Sequence, residues 1–503
     1  MPGYVPPRSR NLVPRWRTPE ITSSLGQLHS GRGRKPCPIV DEEMDEALAR
    51  WRALQSPSCA SEVVAAALVS GQSHRAHDAA AFLADLDDRL PLRSEMSKRI
   101  LARSLPSEEQ TYTSARDRIH AARVFVRSYP SNALAWVDLA LSYTNVAHSA
   151  RAAQCIDVAL SLAPENRYVL RSAVRFFLHI GKAERAFHLL QRSPVVECDP
   201  WLMSAELAVI SLLGRSPKSI KSVRNLLSSA DFSDYEISEL ASQFATIQYR
   251  DGRRSEARKL FSVALKSPTD NTVAQFRWIT THDNSFLVPS HGIVPPRMFE
   301  ADAIKSSIAG HWSDAITSAW KWYGDEPFAC RPTALGSYIA ADITEDYEQA
   351  RRFAEAGLKS NPGNPVLVNN LAYALAQLSD LSRAKEQLDT LKGRDLQPFE
   401  LIAKLATDGL IAYRQNNLVE GRGLYEQAIE TSRGPDLLKH RQMASLHMAL
   451  EELRAATGDA AVQANRALRE VEKAPAPDVR VLRDRVVQAL ERHTAERNSR
   501  NHS

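Results

Sequence analysis

Cysteine is scarce and scattered in these 503 residues: Cys37, Cys59, Cys155, Cys198 and Cys330 include no C-x-x-C pair. That excludes a disulfide framework and a zinc knuckle. No segment approaches the roughly 18 uninterrupted apolar residues of a membrane span, and the opening MPGYVPPRSR lacks the apolar core of a secretory signal. The chain therefore reads as cytoplasmic, with no membrane association. Catalytic signatures are missing as well: there is no G-x-x-x-x-G-K-[ST], G-x-G-x-x-G, G-x-S-x-G or H-E-x-x-H. Ser382-Arg-Ala-Lys385 matches S-x-x-K by letters but has no S-D-N or K-T-G to accompany it. The histidine pairs His74/His77 and His440/His447 lack a third well-placed ligand, so no metal is expected. The reading is a non-enzyme without a cofactor.

Net charge is also small, at +5, and unevenly placed. Residues 1–40 carry Arg8, Arg10, Arg15, Arg17, Arg32, Arg34 and Lys35 against Glu20 alone, a net +6, which leaves −1 for the other 463 residues. Any global basic footprint belongs to this tail. Its seven prolines and its lack of an apolar period predict a disordered basic arm over 1–40, because such a composition cannot offset its ordering entropy. The arm is either a solubilising tail or a source of phosphate contacts, and Trp16, between Arg15 and Arg17, could stack on a base or fill a pocket.

What the chain has in quantity is helical period. From Ala133, residues Trp136, Leu139, Ala140, Tyr143, Ala152, Ile156, Ala159 and Pro164 fall at the spacing W-x2-L-G/A-x2-Y, then A-x3-F-like, then Pro. Later units repeat it: Leu170, Phe177, Gly181, Ala186 and Leu190; Asp199-Pro200-Trp201; Phe244, Gly252, Ala257 and Phe261; Tyr338, Ala350, Ala354 and Pro362; Leu371, Ala384 and Leu388. This pattern resembles the tetratricopeptide-repeat family, of the bacterial type. The resemblance is strong at 133–190, 238–268 and 330–392 and weak at 41–130 and after 434. It implies an all-α, right-handed superhelical solenoid of helix-turn-helix repeats, with the first helix of each unit lining a concave groove. It also implies a protein-binding scaffold.

Along the chain this predicts seven stretches: the arm at 1–40; an N-terminal helical cap, divergent repeats or a small separate domain at 41–130; and a first repeat block at 131–278. An irregular insertion or hinge follows at 279–298, whose apolar residues, Phe286 among them, should pack on something. A second block covers 299–433, where Gly421 replaces the expected alanine and weakens its unit. C-terminal helices and a cap fill 434–493, and a frayed tail ends the chain at 494–503.

The candidate sites lie on first helices. Arg167, Arg171, Arg175 and His179 recur every four residues, so they share one slowly drifting face. Guanidiniums in a row call for a polyanion or for acidic side chains. The face is therefore either an anion-binding groove floor or a set of internal pairs with Glu197, Asp199 or Glu206. Further along, Gln248, Arg250, Asn369, Tyr373, Gln377, Tyr413 and Arg414 offer amides for a peptide backbone and rings for contact area. The leading function is an adaptor whose groove binds an acidic or extended segment of a partner protein. The alternatives are nucleic-acid binding through the 1–40 arm, and a regulatory subunit of a separately encoded enzyme, for example a bacterial nuclease or toxin.

Overall fold

Between residues 132 and 282 each first helix begins at a residue that caps it, and the caps mark out the period. Asn132, Asn166 and Asp199 accept hydrogen bonds from the backbone N–H groups two and three residues on; Ser233 and Thr269 each accept from the third. Successive caps lie 34, 33, 34 and 36 residues apart. Each satisfies helix donors that would otherwise be orphaned. Between the helices of a hairpin the backbone enters the left-handed region, at Gly181 (φ 73°), Gly214 and Gly252 and, less comfortably, at Ala147.

The computed structural model describes residues 1, 10–17, 38–70, 72–84, 115–217, 220–283, 286, 295, 297–471 and 475–501. Among these residues the regular structure is entirely helical. The chain divides into two compact units, Arg8–Ala301 and Met1–Pro7 with Asp302–Ser503.

In the first unit, α1 (Pro38–Leu54), α2 (Pro57–Ser70) and α3 (His77–Ala84) precede α4 (Ala115–Ser128). The repeat hairpins follow: α5 (Ala133–Thr144) with α6 (Ser149–Leu162), α7 (Arg167–His179) with α8 (Ala183–Arg192), α9 (Pro200–Leu212) with α10 (Ile220–Ser228), and α11 (Asp234–Arg250) with α12 (Arg254–Ala264). α13 (Asp270–His282) then starts a further unit. First helices pack on first helices, α5 on α7, α7 on α9, α9 on α11 and α11 on α13. Ala152, Ala186 and Ala257, fully buried on the second helices, let the paired helices approach closely. The core of α1–α3 includes Leu134 of α5 and packs Tyr168 of α7 against it, so the divergent N-terminal helices share a core with the first repeats. Residues 85–114 of the N-terminal region lie outside the described residues, as does most of the insertion. Phe286 of that insertion is fully buried, with ring centroids 5.5 Å from Tyr249 and 5.8 Å from Phe261.

α14 (Phe299–Ala309) carries the boundary between the units. In the second unit, α15 (Trp312–Asp325) and α16 (Cys330–Tyr338) lead into a π-helical turn, Ile339–Ile343. Then come α17 (Tyr347–Ser360), α18 (Pro365–Gln377), α19 (Leu381–Asp389), α20 (Pro398–Arg414), α21 (Leu418–Thr431), α22 (Leu438–Arg454), α23 (Ala460–Glu470) and α24 (Pro477–Asn501). Gly421 corrects the expectation of a weakened repeat. A Cβ there would stand 2.6 Å from the Tyr413 ring and 3.1 Å from the Gly409 carbonyl oxygen, so glycine is what lets α20 and α21 close together. α24 also runs on to Asn501, through the stretch expected to fray. Ala495, Glu496 and Arg497 are good helix formers, and Thr494 and Ser499 hydroxyls bond carbonyls within the helix.

Candidate functional site

The row of cations on α7 is the most visible feature of the sequence, and two of its members are engaged within the protein. Arg167 Nε donates to the carboxylate of Asp199, the cap of α9. Arg171 Nη2 donates to Glu239 Oε2 (2.9 Å) and Nη1 to the Trp201 carbonyl oxygen (3.2 Å), with its guanidinium 4.8 Å from the Trp201 ring centroid. Asp199 and Glu239 are nearly fully buried and need a cation beside them. Asp199 was among the expected partners; Glu239 was not, and Glu206 instead accepts from Gln191 while burial raises its own carboxyl pKa. His179 adds no positive charge near neutral pH: burial, and then the charge of Arg175, lower its pKa to about 4.

The larger correction concerns the arm. Residues 10–17, expected to be disordered, lie along the first-helix face of the Arg8–Ala301 unit, with Leu12 and Trp16 only 0% and 1% exposed. The reason is that the face satisfies the segment's backbone as well as its side chains. The Leu12 N–H donates to Gln243 Oε1 (2.8 Å). The Arg10 carbonyl accepts from Gln275 Nε2 (2.8 Å) and Arg250 Nη2 (3.0 Å). The Val13 carbonyl accepts from Asn271 Nδ2 (3.0 Å), and the Arg17 carbonyl from the Tyr168 hydroxyl (2.6 Å). Amides from two successive first helices, α11 and α13, together with the Tyr168 hydroxyl of α7, therefore hold a non-helical segment in place, as extended-peptide recognition requires.

Its side chains meet opposite charge. Arg10 forms a bidentate pair with Glu300 (Nε–Oε1 3.1 Å, Nη2–Oε2 2.8 Å) and also donates to Gln275 Oε1 and Asn271 Oδ1, each at 2.8 Å. Arg15 bridges Glu300 and Asp270. Arg17 grips Asp270 with both terminal nitrogens. Burial alone would raise the Asp270 carboxyl pKa, but Arg17 and Arg15 overcome it and hold the group below the ordinary carboxylate range. The Trp16 ring sets its edge on Phe176, with centroids 6.1 Å apart.

In the second unit, the expected residues Asn369, Gln377, Tyr373 and Arg414 meet in one buried region. Asn369 Nδ2 donates to the Met1 carbonyl (2.8 Å), and the Met1 amino group donates to Thr407 Oγ1 (2.8 Å). Burial lowers that amine to a pKa of about 4 against the pull of Asp342, Glu451 and Asp408. Gln377 Nε2 donates to the Tyr373 hydroxyl (3.0 Å), and Arg414 Nη2 bonds Gln377 (2.9 Å) and Glu451 (3.0 Å). Burial pushes Glu451 to a pKa of about 7, opposed by Arg414. Tyr413 points elsewhere, donating to Glu452, which Arg422 clamps. His447 faces Asp342 of the π turn (2.8 Å), not His440.

Of the residues predicted to form the site, Arg250 touches residues 10–17 directly, and Asn369 touches Met1. Gln248, on the same helix as Arg250, is buried and accepts from Arg253 Nη1 (3.2 Å). Sequence reasoning missed Tyr168, Gln243, Asp270, Asn271, Gln275 and Glu300. A signal for two of them was available: Gln243 and Gln275 fall 32 residues apart on successive first helices, each with polar residues one turn away (Glu239 and Thr246; Asn271 and Thr272), a pattern more apt for bonding than for a core. Among the described residues no group of three or more His, Cys, Asp or Glu is arranged to hold a metal. No helix among them is long and apolar enough to cross a membrane.

No curated protein sequence matches the chain. Among solved structures, it is similar to the APC/C hetero-tetramer Cut9-Hcn1 at 13% identity, over 89% of this chain and 96% of that one, with a TM-score of 0.41. It is also similar to yeast Tom70 (13% identity, 76% and 93% covered, TM-score 0.29). A third likeness is to a human IFIT1 dimer with PPP-AAAA (14%, 94% and 99%, TM-score 0.33). Scores at this level carry nothing about ligand. Residues 344–408 match the tetratricopeptide repeat family model, and helix pairs precede and follow them along the chain.

Proposed function

We propose that this chain is a protein-interaction scaffold, without catalysis of its own, whose first-helix face in the Arg8–Ala301 unit binds an extended segment of a partner protein. The observation behind this reading is the hold on residues 10–17. Five side chains, Tyr168, Gln243, Arg250, Asn271 and Gln275, contact backbone atoms of four residues, a mode of grip that does not depend on the sequence held. Nucleic-acid binding through the arm is disfavoured by the same contacts, because Arg10, Arg15 and Arg17 are turned onto carboxylates.

Fluorescence anisotropy on the full chain separates the two. Labelled extended peptides should bind saturably, with modest salt dependence, while mixed-sequence RNA shows no binding at low salt. RNA binding that falls steeply with salt, with no peptide binding, would overturn the scaffold reading.

A further inference from the structure

The charge of the face points the opposite way from its most conspicuous residues. Arg167 and Arg171 are drawn onto Asp199 and Glu239, whereas the groups that reach the bound segment are the carboxylates of Asp270 and Glu300. The Glu300 side chain is only 1% exposed and has guanidiniums of both Arg10 and Arg15 on it. A carboxylate that deep is strongly disfavoured if it loses its cations. Whatever occupies this face must therefore bring a guanidinium to Glu300 and a second positive charge to Asp270.

The apolar contacts add spacing to that requirement. Leu12 is buried two residues after Arg10, and Trp16 six residues after it, against Phe176. Arg15 and Arg17, which flank Trp16, both reach Asp270. The pattern held is Arg-x-Leu-x-x-Arg-Trp-Arg, presented as open backbone rather than as a helix.

Resting on the scaffold reading above, we infer that the partner segment is basic, an arginine-bearing stretch with a leucine-like and an aromatic anchor at these spacings, and that residues 10–17 are its resident competitor. The arm belongs to the same chain, so it competes at an effective concentration on the order of millimolar, and a partner binds only by displacing it. The face is thereby protected from weak basic segments. It opens to those that match the pattern more closely or arrive at high local concentration.

The test uses the full chain, wild type and carrying Leu12→Asp with Trp16→Asp to eject the arm, and a labelled peptide reproducing residues 10–17. The arm-ejected chain should bind this peptide at least about tenfold more tightly than wild type, as expected when a tethered competitor is removed. Adding Glu300→Gln to the ejected chain should lose that gain, and a peptide with its three arginines replaced by glutamate should not bind. Equal affinity for the wild-type and ejected chains overturns the competition. Preference for the glutamate peptide overturns the charge assignment while leaving the scaffold reading intact; binding of neither peptide defeats both.

A second measurement covers the case in which the ejected chain does not fold. In the wild-type chain, excess unlabelled peptide should speed hydrogen exchange over residues 10–17, where the Leu12 amide is hydrogen-bonded; unchanged exchange rejects displacement. Light scattering over a range of concentrations tests the remaining occupant, since a dimer that dissociates when the arm is mutated would place the segment on a second copy and overturn competition within one chain.

Discussion

On the first-helix face of the Arg8–Ala301 unit, Asp270 and Glu300 meet arginines from 253 to 290 residues away in the sequence. In the Asp302–Ser503 unit, Glu451 and Glu452 meet Arg414 and Arg422, only 37 and 30 residues away on neighbouring repeats. Both units bury carboxylates among helices, and both pair them. In one the cations are part of the array itself; in the other they belong to a short non-helical segment, residues 10–17. We propose that the same repeat serves as closed scaffold where its charges are answered locally, and as a receptor where they are answered by a separate segment.

The comparison breaks most readily at its deepest charges. Glu300→Gln should cost about 3–5 kcal/mol of arm docking, because it removes one side of a buried ion pair, and it should appear as faster hydrogen exchange over 10–17 with the helices intact. Glu452→Gln should act on the fold instead, lowering the melting temperature while leaving exchange over 10–17 unchanged. If both variants give the same readout, the distinction between receptor and scaffold is wrong.

Packing offers the next test. Gly421→Ala should destabilise the second unit by about 1–3 kcal/mol, since its methyl would press on the Tyr413 ring and the Gly409 carbonyl, as measured by denaturant unfolding. Arg171→Ala should cost about 1–2 kcal/mol of stability by leaving Glu239 short of a partner. Affinity for the 10–17 peptide should stay unchanged, and a loss of binding would restore the cation face of α7 as a contact surface.

The smallest effect is with pH. Asp270 has a folded pKa below its unfolded value, so its contribution to arm docking is complete above about pH 4 and disappears as pH falls through the depressed value. Glu451 runs the other way: its folded pKa of about 7 lies above the unfolded value, so the stability it contributes is present below about pH 4.5 and lost as pH rises through 7. Opposite pH slopes for hydrogen exchange at 10–17 and for melting of the second unit would sharpen the contrast between the two.

Much of the repeat architecture was legible because it is written in local chemistry. Asn132, Asn166 and Asp199 announce helix starts, and Ala152, Ala186 and Ala257 mark close approaches, each through interactions spanning a few residues or one hairpin. The candidate site was legible only in part. Arg250 and the run of amides suggested backbone recognition, while the arginines of α7 left two readings open, an anion site or internal pairs such as the one Arg167 makes with Asp199. Such pairs are hard to foresee from sequence, because Glu239 is 68 residues from Arg171.

By itself, then, the sequence determined an all-helical repeat protein, since caps, small residues and apolar period act within a turn or between adjacent helices. Only tertiary structure decided the fate of residues 10–17. Their proline-rich, aperiodic composition cannot form an element alone, and their order comes from donors and carboxylates that α7, α11, α13 and α14 bring to one face.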